Sequence, residues 1–120
     1  MASGKKIFVL DDDTSVLGAV KRVLKAHGFG VEVFDTVEGF LSGACLGDAL
    51  CLVLDIDLNG TSGIELKRQL TSAGISVPVI FITGADKEGN RQAALKAGCV
   101  AYLEKPFPSS ALIEAIEKID

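Results

Sequence analysis

The chain has 120 residues, 48% of them hydrophobic, with a formal net charge of −4 at pH 7 and a pI of about 4.9. That length predicts one domain, residues 1–120, with a full core and a radius of gyration of roughly 13–14 Å. No basic cluster marks a nucleic-acid surface, no apolar run approaches the roughly 20 residues of a membrane span, and Met1–Lys6 lacks the apolar stretch of a signal peptide.

Residues 6–10 (KIFVL) read as a short buried strand ending at Asp11, Asp12 and Asp13. Asp13 or Thr14 can cap the following helix. Val16, Val20, Val23, Leu24 and His27 share one face of it at helical spacing, and Gly28 is placed to end it. Val31–Phe34 alternates apolar and charged, as an edge strand does. Residues 35–44 form a short, weakly patterned helix. Cys51–Leu54 is an apolar strand running into Asp55. Ser62 to Glu65 then fits a capping box for a helix over about 63–73. Residues 77–83 (VPVIFIT) are another buried strand, with Pro78 near its start where a missing N–H is tolerable. A polar helix over 86–97 closes at Gly98. Val100–Leu103 is the last strand, and Ser109 or Ser110 caps a final helix with Leu112, Ile113 and Ile116 facing inward.

The pattern is βα five times over. Three strands are apolar throughout, as strands buried on both faces of a parallel sheet are. Right-handed crossovers then distribute alternating helices over the two faces. The three cysteines, Cys45, Cys51 and Cys99, are odd in number and match no zinc spacing. They read as small apolar residues kept reduced in a cytosol.

Four strand ends carry polar residues: Asp11–Asp13, Asp55 with Asp57, Thr83, and Lys105 just past the last strand. In a doubly wound sheet these ends open on one edge, where such folds bind ligands. Carboxylates crowded there repel by roughly 4 kcal/mol per pair about 4 Å apart at an effective dielectric near 20. Protons or a cation must compensate, and an all-oxygen cluster favours a hard divalent ion such as Mg²⁺. A carboxylate, a metal, a hydroxyl and an ammonium together suit phosphoryl transfer onto the carboxylate. Each residue alone reads as an ordinary cap, strand end or solvated loop; their joint placement carries the inference.

LDDD (10–13), VLDIDLNGTSG (53–63), FITGA (81–85) and YLEKPF (102–107) together resemble the response-regulator receiver domain of two-component signalling, over the whole chain. The resemblance implies a flavodoxin-like (βα)5 α/β fold with a five-stranded parallel sheet in the order 2-1-3-4-5. It implies that Asp11 and Asp12 are the metal-binding acidic pair and Asp55 the phosphoacceptor. Asp57 would offer its main-chain carbonyl to Mg²⁺, so Asp11, Asp12, Asp55 and Asp57 form the expected metal set. Thr83 resembles the switch hydroxyl, Lys105 the phosphoryl-binding lysine, and Tyr102 the aromatic switch. A cis Lys105–Pro106 bond is implied as well. The expected partners are a sensor histidine kinase or phosphotransfer protein and a downstream target or fused output domain; neither nucleic acid nor membrane is contacted, and the location is cytoplasmic.

The pattern departs in two places. Relatives often carry proline in the loop after the acceptor, where this chain has Leu58–Asn59–Gly60, so a looser loop is expected. Asp57 also adds a carboxylate at a position that is often neutral. His27, the single histidine, reads as structural. Leu17 reads either as core packing or as a kinase contact on the first helix. Lys87, Glu88, Arg91 and Lys96 read as a solvated face or part of an output surface. An enzyme of the haloacid-dehalogenase type shares Asp-x-Asp after a strand, as in Asp55-Ile56-Asp57. That class places its acidic pair late in a longer chain, whereas here it comes first. A degenerate receiver serving only as an interaction module would have lost the acceptor or the lysine, and both are present.

Overall fold

The computed structural model describes residues 5–84 and 89–119. In chain order it has β1 (Lys6–Leu10), α1 (Thr14–Ala26), β2 (Gly30–Phe34), α2 (Val37–Gly43), β3 (Ala49–Asp55), α3 (Gly63–Ser72), β4 (Val79–Thr83), α4 (Asn90–Lys96), β5 (Ala101–Glu104) and α5 (Ser109–Glu117). The five strands are parallel and lie in the order β2-β1-β3-β4-β5. This is the expected flavodoxin-like sheet. The Cα radius of gyration is 13.1 Å. No helix among the described residues is long and apolar enough to cross a membrane.

The three central strands, β1, β3 and β4, are apolar along nearly their whole length because helices cover both of their faces. Ile7, Val9, Cys51, Val53, Ile80 and Ile82 point to one side, where they meet Leu17, Val20 and Leu24 of α1 and Leu112, Ile113 and Ile116 of α5. Phe8, Leu10, Leu52, Leu54 and Phe81 point to the other, against Phe40 of α2, Leu66 and Leu70 of α3 and Ala94 of α4. Helices therefore do not alternate between the faces. Winding reverses once, at β1, which leaves α1 and α5 on one side and three helices on the other. Each fully buried Leu or Phe stabilises this arrangement by about 1.5–3 kcal/mol.

Several local expectations change. Leu17 is 5% exposed, so it is core packing, and Gly18 beside it faces open space. His27 is exposed at the C-cap of α1, its Nδ1 3.0 Å from the Val23 carbonyl oxygen. The cap of α5 is Pro108, with no side-chain cap bond, and Ser109 is already helical; proline's fixed φ makes it a ready entry to a helix. Ser62 caps α3, its Oγ accepting from the Ile64 N–H. Glu65 faces Arg68, however, at 3.5 Å. The expected helix start at Asp86 lies outside the described residues; the described α4 begins at Asn90, after Gly89 at φ +93°.

Candidate functional site

The carboxyl ends of β1 and β3 define the site. Leu10 is paired with Leu54, so the next residues, Asp11 and Asp55, stand side by side where the strand order reverses. Among the described residues, the buried polar or charged ones are Asp11, Asp55 and Thr83, all at the ends of the three central strands. Asp12 is exposed beside them. One carboxylate oxygen from each of Asp11, Asp12 and Asp55 falls within 4.8 Å of the others.

Lys105 reaches this group from beyond β5. Its main-chain N–H donates to the Thr83 carbonyl at 2.7 Å, which ties the loop to the end of β4, and the Lys105–Pro106 bond is cis as expected. Its Nζ lies 2.7 Å from Asp11 Oδ2 and 3.4 Å from Asp55 Oδ2. The other oxygens are held by the main chain. Asp11 Oδ1 accepts from the Asp13 N–H at 2.9 Å, and Asp55 Oδ1 from the Asp57 N–H at 3.2 Å. Asp13 itself caps α1, its Oδ1 accepting from the Ser15 N–H at 3.0 Å and hydroxyl at 2.6 Å. Those bonds lower its pKa.

One ammonium does not balance three carboxylates. Burial, then the charge and close contact of Asp11, push the Asp55 carboxyl up to about 7 from an ordinary 3.8; Lys105 and the Asp57 N–H oppose the rise without cancelling it. Burial pulls Lys105 down, but the contact and charge of Asp11 and the charge of Asp55 outweigh it and hold the ammonium above the usual lysine value. Asp11 Oδ2 is buried without a hydrogen-bond partner, so its approach to Lys105 is an ion pair made off the hydrogen-bonding direction. The buried carboxylate charge that this one ammonium leaves uncompensated carries a desolvation cost that a divalent cation would relieve. The donors are all oxygen, the set a hard divalent ion takes. The residues therefore fit Mg²⁺.

Three positioning features were not read from the sequence. Gly63, the first residue of α3, packs against the end of β3: its N–H donates to the Ile56 carbonyl at 2.8 Å, and a Cβ there would overlap the Asp55 carbonyl oxygen. Leu58–Asn59–Gly60–Thr61 is a tight hairpin, not a looser loop. Leu58 pairs with Thr61, Asn59 and Gly60 take φ of 40° and 90°, and Leu58 is 3% exposed. Asn-Gly is the strongest short hairpin signal because both positions require positive φ. Third, the Asp57 carboxylate lies outside the three-carboxylate group and is exposed, while its N–H holds Asp55.

Of the remaining expected residues, Thr83 is fully buried and Tyr102 is 8% exposed, opposite Phe81 in the sheet. Arg91 and Lys96 are exposed on α4; Lys87 and Glu88 lie outside the described residues. Burial pushes the Cys51 thiol up to about 12, which leaves it an inert core group.

Residues 7–117 match the family model described as the response regulator receiver domain. The chain belongs to that family. It is 36% identical over 110 residues to the response regulator protein TodT of Pseudomonas putida, covering 92% of this chain and 48% of the relative. It is 36% identical over 112 residues to the transcriptional regulatory protein FixJ of Rhizobium meliloti, covering 93% and 55%. The structure of the response regulator StyR superimposes with a TM-score of 0.88 at 40% identity, over 98% of this receiver and 59% of that chain. The receiver thus spans about half the length of the curated relatives it matches. Receiver domains of this family are signalling switches of two-component systems.

Proposed function

We propose that residues 1–120 act as one receiver domain in which Asp55 accepts a phosphoryl group from a phosphohistidine of a sensor histidine kinase or phosphotransfer protein. The observation that carries this reading is the buried Asp55 carboxyl, with Asp11 and Asp12 oxygens within 4.8 Å of it and the Lys105 ammonium across from it. An Asp55 oxygen, once deprotonated, attacks phosphorus. The new P–O bond forms as the donor's P–N bond breaks, and its electron pair returns to the imidazole. Water attack on the resulting acyl phosphate releases phosphate and resets the switch.

Asp11, Asp12, Asp55 and the main-chain carbonyl of Asp57 would hold Mg²⁺. When bound, the ion supplies the positive charge that offsets the carboxylates and the incoming phosphoryl oxygens. Lys105 is freed from its share of that work and pairs with a phosphoryl oxygen. Thr83 donates its hydroxyl to another, and a charge-assisted hydrogen bond contributes roughly 1.5–3 kcal/mol. A pull of that size shifts a two-state population tenfold or more. It moves the end of β4 and reorients Tyr102, changing the α4–β5–α5 surface presented to a downstream target or fused output domain. This reading places the chain in the cytoplasm. Acetyl phosphate with Mg²⁺ should add one phosphoryl group by intact mass, and Asp55→Asn should add none. Labelling that persists in Asp55→Asn refutes the assignment.

A further inference from the structure

We propose that Arg91 is a latch on Tyr102, its guanidinium holding the ring in the resting orientation against α4. The guanidinium carbon of Arg91 lies 4.6 Å from the Tyr102 ring centroid, a cation–π distance. The ring sits in the cluster on the α2–α4 face, with Phe81 and Ala94. To the same cluster α4 contributes only small side chains: Ala94 is fully buried, and Ala93 and Ala97 pack at its edge. The one large side chain of α4 placed on the ring is Arg91. Among the described residues Arg91 enters no ion pair, and its own surface is exposed, so little competes with the ring for its guanidinium.

Its position makes the contact a coupling device. Arg91 is in the first turn of α4, two residues after Gly89 at φ +93°, at the end of the connection that leaves Thr83. A shift of this first turn that slides the guanidinium off the ring releases Tyr102. The latch itself needs no phosphorylation; only its regulatory consequence rests on the switch reading above.

Tyr102 is the single tyrosine and the chain has no tryptophan, so tyrosine fluorescence reports this ring alone. The test uses the unmodified chain, with acrylamide quenching as the measure of ring exposure and far-UV circular dichroism as the check on folding. Losing an exposed cation–π contact raises the open-ring population about two- to fivefold. Arg91→Met, which keeps the apolar stem, should raise the quenching constant by that factor. Arg91→Lys, which keeps the charge but not the planar stack, should fall between Arg91→Met and wild type. Lys96→Met, an equal loss of charge elsewhere on α4, should match wild type. A quenching constant unchanged in Arg91→Met, or raised equally by Lys96→Met, overturns the latch. A separate arm adds Mg²⁺ and beryllofluoride to wild type: a Tyr102 signal that ignores this phosphoryl mimic removes the switch reading and leaves the latch standing.

Discussion

Asp55→Asn should make the receiver more stable at pH 8 and leave it unchanged at pH 4. The folded chain binds the Asp55 proton more tightly than the unfolded chain, because burial and Asp11 raise the carboxyl from 3.8 to about 7. Between those values the folded state carries a proton that the unfolded state has released, so stability falls as pH rises. At 1.36 kcal/mol per tenfold change in proton affinity, the full rise costs about 4 kcal/mol above pH 7. Asparagine is the same shape, and its Oδ1 can still accept from the Asp57 N–H, which lies 3.2 Å from Asp55 Oδ1. It removes the buried charge and gives up the pairing with Lys105. For a chain of this size 4 kcal/mol corresponds to roughly 15 °C in Tm. Thermal melts of both proteins from pH 4 to 8 without divalent cations should diverge across that window; carboxylates remote from the site cancel in the difference, while the coupled Asp11–Asp55 pair is read as a unit. Mg²⁺ at ten times its Kd should restore about 1.4 kcal/mol to wild type alone. Parallel Tm profiles would show that Asp55 is charged at little cost, and the electrostatic account of the site would fail.

Asp12→Ala should weaken Mg²⁺ binding more than Asp13→Ala, because Asp12 contributes an oxygen to the three-carboxylate group whereas Asp13 is committed to Ser15; calorimetric titration giving the reverse order refutes this. Thr83→Ala should still accept phosphate, while amide shifts around Tyr102 largely stop responding to beryllofluoride; a full response would route the coupling through Lys105 instead. Gly63→Ala should destabilise by about 1–3 kcal/mol in urea unfolding, because the methyl group meets the Asp55 carbonyl; an unchanged midpoint would mean that α3 is free to shift away from β3.

The elements were legible because each is announced locally. Fully apolar strands mark a sheet covered on both faces, and Asp13 and Ser62 cap the helices they precede. The gathering of Asp11, Asp12, Asp55 and Lys105 was legible for the same reason: strand ends are sequence positions, and one parallel sheet collects them on one edge. Less visible were features that depend on what lies across from a residue. Asn59–Gly60 signals a hairpin locally, but the burial of Leu58 beside it depends on what packs against that turn. Gly63 looked like an ordinary helix start because nothing in the neighbouring residues reveals the Asp55 carbonyl beneath it. Leu17 stayed divided between core and surface until the face of α1 that meets the sheet was known.

The residue types and their order thus determined that an acidic pair, a further carboxylate, a hydroxyl and an ammonium occur at successive strand ends. Only the tertiary structure decided how they share charge. The β1–β3 register sets Asp11 against Asp55, the Asp13 and Asp57 N–H groups hold one oxygen of each, and Lys105 is left between the two that remain. Those distances raise the Asp55 carboxyl toward neutrality, because Coulomb energy and desolvation depend on separation in space and not on separation along the chain.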